Sequence, residues 1–221
     1  VIGVIPVGRG RTDSLRWAVR ALERYTPVDF LVTVGETPQG IRPDVHFDRP
    51  NTGRPPIVNT SAHLRHVAER LTAPFVWSAD DIFPLKDWTP TVHVRRYPIS
   101  QHLADFPRVH GYSDGVREGV KVLGEWGHDP SSVPCGPIHR PTLLHPDRIL
   151  RCLDAMSPSG SWLTVYPVLA DTLTPADDCK IMSGSAVPRD DVDCLSTDVR
   201  SWKGTAGQFV RAKLTVPSRW E

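Results

Sequence analysis

A chain of 221 residues with 26 basic against 25 acidic side chains, a formal net charge of +1, projects no global field toward nucleic acid or a membrane surface, so such a partner has to be met by a local patch. The 39% hydrophobic and 23% charged content is that of an ordinary globular protein able to bury a core without disulfides, and no run of about 18 apolar residues exists to span a bilayer. The opening VIGVIPVG lacks a basic, apolar, small-residue signal, which makes the cytoplasm the expected location and no membrane partner is expected.

Residues 1–7, VIGVIPV, form a nearly continuous β-branched run, the pattern of a strand buried on both faces, and the basic loop VGRGRTD follows. A helix comes next: Asp13 or Ser14 supplies an N-cap, Leu15, Ala18, Val19 and Leu22 recur at helical spacing, and the pattern stops before Pro27. FLVTV at 30–34 predicts a second buried strand and VHFDRPN at 45–51 a third, closed by the turn residues of NTGRPPI. Leu64, Val67, Ala68 and Leu71 share one face of a second helix that Asn59, Thr60 or Ser61 is able to cap, and Pro74 ends it before strand FVW at 75–77. Such alternation predicts βαβ units and a parallel sheet, whose ligand crevice lies at the carboxyl ends of the strands. Arg9 and Arg11 after the first strand, Glu36 after the second, and Asp80 and Asp81 after the fourth all fall at such ends.

Between Asp87 and Pro137 many Pro, Gly, His and Trp residues and a weak period predict long loops and short antiparallel strands such as TVHVRRY rather than helices. PDRILRCLDAM predicts a helix opened by Pro146, WLTVYPVLADTL is helix-like but interrupted by Pro167, and from Asp178 onward no strong period is visible. The cysteines, Cys135, Cys152, Cys179 and Cys194, form no C-x-x-C pair and are expected to be reduced. Cys135 with His128, His139 and His145 matches no common zinc spacing.

Adjacent carboxylates at the end of a buried strand repel each other and need a cation, an arginine or water. Two readings stand for Asp80 and Asp81: one acid faces solvent while the other caps the turn into IFPLKDW, or both hold a hard divalent cation that bridges to phosphates. The basic loop after the first strand, the acid after the second, and Asn59 at a helix N-terminus that favours anions shift the balance to a metal-bound nucleotide. No Walker-type loop is present, and VGRGRTD lacks the full dinucleotide fingerprint.

The succession VIPVGR, LVTVGE, N51-T-G and NTSAHLRHVAERLTAPFVWSADDIF resembles the nucleotide-sugar half of GT-A fold glycosyltransferases over about the first 90 residues. The resemblance implies an α/β, GT-A-like single domain over 1–221, with a mostly parallel central sheet flanked by helices. Residues 1–90 would bind the nucleotide-sugar, and the loop-rich 91–221 the acceptor. It further implies a divalent metal, Mn or Mg, at Asp80 and Asp81, and a nucleotide-sugar donor, a UDP-sugar first, lined by Pro6, Arg9, Arg11, Glu36, Asn59 and Asp80. The motif departs from the family's D-x-D: Ser78 stands where its first acid would be, and Asp81 follows Asp80.

STDVRSW, GTAGQFVR and VPSRWE are similar to the ends of phage glycosyltransferases that act on hypermodified DNA. That resemblance implies a 5-hydroxymethyl pyrimidine in DNA as acceptor, a host-cytoplasm location, and Arg95, Arg96, Arg200, Lys203, Arg211, Lys213 and Arg219 as candidates for phosphate contacts. An inverting enzyme also needs a base for the acceptor hydroxyl, and Asp147, Asp171, the pair Asp177 and Asp178, and Asp198 are the acids available, among which sequence does not choose. A retaining mechanism, a small-molecule or polysaccharide acceptor, nucleotidyl transfer and a non-catalytic nucleotide-sugar-binding module stay open at this stage.

Overall fold

A computed structural model describes residues 1–8, 12–106 and 111–221. The first half runs β1 (Ile2–Val7), α1 (Thr12–Tyr25), β2 (Phe30–Gly35), β3 (Val45–Asp48), α2 (Pro56–Ala68) and β4 (Phe75–Trp77). Then come β5 (Ile82–Pro84), β6 (Val92–Val94), α3 (Ile99–Asp105), α4 (Tyr112–Glu125), β7 (Thr142–Leu144) and α5 (Pro146–Asp154). The chain closes with α6 (Trp162–Val165), β8 (Leu173–Pro175), β9 (Lys180–Ile181), β10 (Cys194–Thr197), α7 (Val199–Lys203) and α8 (Thr205–Lys213).

The main sheet has the order β3-β2-β1-β4-β7; its first four strands are parallel and β7 runs antiparallel to β4. A second sheet, β5-β10-β9, and a parallel pair, β6-β8, complete an α/β chain. Alternate side chains of the parallel strands feed two cores. Val4, Val32 and Phe75 face α2, through Leu64 and Val67, together with helices of the second half. Ile5, Leu31 and Val76 face α1, through Leu15, Val19 and Leu22, and the C-terminal Val210, Leu214 and Trp220. Leu15, Val19 and Leu22 are fully buried, each contributing about 1.5–3 kcal/mol of apolar burial. The end of the chain is tied back to α1, where Arg20 holds Glu221 at 2.5 and 2.7 Å, while Trp220 Nε1 donates to Asp44 at 2.9 Å.

Expectations for the first half hold closely, except that α1 opens at Thr12, with Asp13 and Ser14 inside its first turn rather than capping it, and α2 opens at Pro56 rather than at an Asn59, Thr60 or Ser61 cap and ends before Leu71. Proline suits the first helical position, where its missing N–H has no partner to lose. The stretch from Asp87 to Pro137 differs more. It carries two helices, α3 and α4, and the strand inside TVHVRRY pairs parallel to β8, not antiparallel. Gly115 and Gly119 blur the apolar period of α4 because they serve close approach: a Cβ would lie 2.5 Å from Ser159 O at the first and 2.7 Å from Thr164 Cβ at the second. The aperiodic C-terminal stretch holds β9, β10, α7 and α8, strands too short to show a repeat and helices rich in glycine and serine neighbours. Among the described residues no helix is long and apolar enough to cross a membrane.

Candidate functional site

The chain leaves β1 toward β2 on one side, while β4 docks on the other, so the order of the strands reverses at β1 and β4. At such a switch point the loops part and leave a crevice at the carboxyl ends. A cleft of about 350 Å³ opens there. Pro6 and Gly8 line it from β1, Asn51, Asn59 and His63 from the approach to α2 and its first turns, and Asp80 and Asp81 from the end of β4. Of the residues singled out from sequence, Pro6, Asn59, Asp80 and Asp81 thus share one cavity. Arg9 and Arg11 lie outside the described residues.

Hydrogen bonds fix the wall beside β1. Val7 O accepts Glu36 N at 3.1 Å and Asn51 Nδ2 at 3.3 Å, and Glu36 Oε1 accepts Asn51 N at 3.0 Å. Gly35 makes this latch possible, since its φ of 117° is left-handed and a Cβ would sit 2.5 Å from Val7 O. Glu36 therefore shapes the wall rather than lining it. Asn59 is likewise engaged, accepting Thr52 N at 3.1 Å and donating to Thr52 O and Arg54 O at 3.2 and 3.0 Å. One helical turn further, buried His63 holds Arg49 O at 2.9 Å, and burial first, then the Arg49 charge, lowers its pKa, keeping the ring neutral. The four-residue spacing of Asn59 and His63 on one helix face is the signal that finds His63.

α2 enters the cleft with no side-chain N-cap and no acid in its first turn; Pro55 and Pro56 carry no N–H and Val58 N donates to Pro55 O at 3.0 Å, so what the helix offers an anion is its positive dipole end rather than a set of free donors. Across the cleft Asp80 is only 7% exposed. Asp81 Oδ2 pairs with Lys180 Nζ at 3.0 Å, and Lys180 also donates to Thr197 O at 2.5 Å. Thr197 N in turn donates to Asp81 O at 3.0 Å, so the second sheet brings this lysine to the acids. Nothing local in ADDCKIM announces that role, which depends on the pairing of β9 with β10. Ser78 is buried to 1% exposure and does not line the cleft; an acid there would be desolvated, whereas the next two positions face the cavity.

A hard cation such as Mg²⁺ uses one or two carboxylates and completes its shell with water and substrate phosphates. Asp80 and Asp81 fit that donor set. Among the described residues no group of three or more His, Cys, Asp or Glu forms a self-sufficient metal cage. Lys180→Met should lower stability by about 3 kcal/mol, about 6–12 °C in melting temperature, because it leaves Asp81 beside Asp80 without its ammonium in a mostly buried pair. Thermal unfolding of the variant checks this, and an unchanged melting temperature would mean that the pair carries no stability.

The base candidates are scattered. β7 runs antiparallel to β4, with Leu144 opposite Phe75, so α5 and the exposed Asp147 in its first turn start at the amino end of β4, opposite the cleft. Asp171 pairs with Arg148 of the same turn at 2.8 Å and lies at that far end too. Asp198 follows Thr197 on the cleft side, where it N-caps α7 by accepting Ser201 N at 2.7 Å, and that backbone donor lowers its pKa. Several basic candidates are also occupied: Arg95 pairs with Asp178, Arg211 stacks over Trp202, Lys213 over Phe209, and Arg219 contacts Glu23. Cys179 and Cys194, distant in sequence, come to 3.3 Å between their sulfurs as buried thiols. Neither the family models nor the curated proteins hold a match to this chain.

Proposed function

We propose that this chain is a GT-A-like glycosyltransferase that moves a sugar from a nucleotide-diphosphate sugar, a UDP-sugar first, to a hydroxyl acceptor. The reading rests on one observation: Asp80 and Asp81 face the uncapped N-terminus of α2 across the β1–β4 switch point, in one cleft. A strand order of β3-β2-β1-β4-β7, with a second small sheet delivering Lys180 to the acids, supports the same assignment.

In this mechanism the diphosphate lies between the positive dipole end of α2 and the acids. Asp80 and Asp81 would hold Mn²⁺ or Mg²⁺, which when bound supplies Lewis-acid charge stabilisation to the leaving diphosphate. Lys180 fixes the Asp81 carboxylate and adds a positive charge beside the leaving group. The Val7–Glu36–Asn51 latch keeps the β1 wall rigid, so little order has to be gained on binding.

A 5-hydroxymethyl pyrimidine in DNA is the acceptor we propose. Arg200 and Lys203, both exposed on α7 beyond Thr197, have no ion-pair partner among the described residues and remain open to phosphates. The test is incubation with a panel of UDP-, GDP-, TDP- and CDP-sugars, Mn²⁺ and DNA containing 5-hydroxymethylcytosine, read by mass. One sugar added per modified base is expected. Transfer to free sugars or small hydroxyl compounds with none to DNA would leave the transferase reading standing and remove the DNA acceptor.

A further inference from the structure

Three chain segments that sequence keeps far apart converge at the carboxyl end of the sheet beside the acids. Arg95 follows β6, Asp178 follows β8, and His139 precedes β7, whose first residue, Thr142, sits opposite Trp77 at the end of β4. His139 donates its backbone N–H to Asp178 Oδ1 at 3.1 Å, and its Nδ1 lies 3.0 and 3.2 Å from the two carboxylate oxygens. Arg95 pairs with the same carboxylate and donates through Nε to Pro137 O at 2.8 Å, which fixes it from behind. Cys179 Sγ contacts His139 O at 2.6 Å and anchors the backbone carrying the imidazole.

Burial alone would raise the Asp178 carboxyl, but the hydrogen bond and charge of His139 and the Arg95 guanidinium outweigh it and hold the group well below the ordinary carboxylate range. An ionised carboxylate only accepts, so the hydrogen of the neutral ring sits on Nδ1 and the lone pair on Nε2. Nε2 makes no hydrogen bond among the described residues, and the His139 side chain is 46% exposed. A half-buried carboxylate that orients a histidine and leaves Nε2 open is the arrangement that makes imidazole a general base.

Its location fits that use. Asp178 and Lys180 are two residues apart, about 6–7 Å along an extended chain. Cys179 between them turns inward against Cys194 and Ile82. Lys180 reaches Asp81, so the segment that carries Asp178 and its His139 partner runs straight on to the acids of the donor cleft. Asp178, Lys180 and Arg96 also line a second cleft of about 600 Å³, with room for an acceptor, and His139 stands on Asp178 at its margin rather than in its lining.

We infer that His139 is the general base for the acceptor hydroxyl and that Asp178 is its positioning residue, an assignment that rests on the transferase reading above. Nε2 takes the hydroxyl proton as the acceptor oxygen bonds to the anomeric carbon; the bond from that carbon to the diphosphate oxygen breaks, and its electron pair leaves with the nucleoside diphosphate. The imidazolium formed is stabilised by Asp178. This is a single displacement, so the anomeric configuration inverts. Water entering in place of the acceptor undergoes the same step, which gives an assay that needs no acceptor.

The experiment measures Mn²⁺-dependent hydrolysis of whichever sugar in the nucleotide-sugar panel binds, together with donor-induced thermal shift, for the wild type, His139→Gln and Asp178→Asn. Both variants should keep the donor shift and the donor KM while kcat falls about 10²–10⁴-fold in His139→Gln. The sugar released first should be the inverted anomer by proton NMR, and ¹⁵N spectra of the wild type should show His139 protonated on Nδ1, a signature that Asp178→Asn removes. Wild-type kcat in His139→Gln, a retained anomer, or an Nε2–H tautomer in the wild type would overturn the base assignment and leave the transferase intact. Failure of every nucleotide-sugar to bind the wild type would overturn the transferase reading and, with it, this inference.

Discussion

Asp80→Ala should lose transfer by about 10³-fold while the protein stays folded, because in the transferase we propose it removes a group that would act, through the bound cation, on the charge developing at the leaving diphosphate. Asp80 sits at the cleft end of β4 and is 7% exposed, and alanine at this position takes one of two neighbouring negative charges out of a confined space. The remaining Asp81 keeps its ammonium partner, so the ion pair with Lys180 survives. Asp81→Ala should differ in kind. It strands the Lys180 ammonium, 17% exposed, and thus lowers stability as well as activity. Circular dichroism and melting temperature alongside transfer rate separate the two; full activity in Asp80→Ala would remove that residue from the site.

Acid destabilisation should be governed by His93 between pH 6.5 and about 4. This histidine, 6% exposed, accepts the Trp88 indole N–H on Nε2 at 2.5 Å, and Nδ1 has no hydrogen-bond partner among the described residues. Protonation would turn Nε2 from acceptor into a second donor facing the indole. Burial first, then the Arg140 charge, brings its pKa from 6.5 down to about 4, against smaller opposing effects of Asp193 and the Thr174 backbone. The folded value is depressed, so within this window the unfolded chain binds more protons. Stability is therefore complete above 6.5 and drains as pH falls toward 4. At about 1.4 kcal/mol per pH unit the loss is about 3 kcal/mol. His63 and His102, also lowered by burial, act with the same sign. Urea unfolding at closely spaced pH values should show a shallower slope in His93→Gln; the same slope in both proteins would contradict the assignment.

What sequence made legible follows from how each element is buried. β1, β2 and β4 are covered on both faces, so their side chains read as continuous apolar runs, and α1 presents one fully buried stripe. Those elements place Asp80 and Asp81 at strand ends without any knowledge of contacts. α4 hides behind Gly115 and Gly119, whose purpose is a close helix approach that no local pattern encodes. β9 has two residues and β10 four, too few for a period, yet their pairing carries Lys180 to Asp81.

Asp147 opens a helix, a strong local signal, but the antiparallel direction of β7 puts that helix start at the far end of the sheet. His139 and Asp178 lie 39 residues apart with no motif linking them, and only the shared end of β7 and β8 unites them. Direction and register decide such sites, and neither is written in a single window of sequence.

The most direct test of a nucleotide-sugar cleft at the β1–β4 switch point is a thermal-shift panel of UDP-, GDP-, TDP- and CDP-sugars with and without Mn²⁺, on the wild type and Asp80→Ala. At a donor concentration of about 100 times Kd, binding adds about 2.7 kcal/mol, or about 5–11 °C for a chain of this size. One nucleotide class should raise the melting temperature by that amount with Mn²⁺ in the wild type, and Asp80→Ala should lose most of the rise. No shift with any donor at millimolar concentration, or an equal shift in Asp80→Ala, would contradict the assignment.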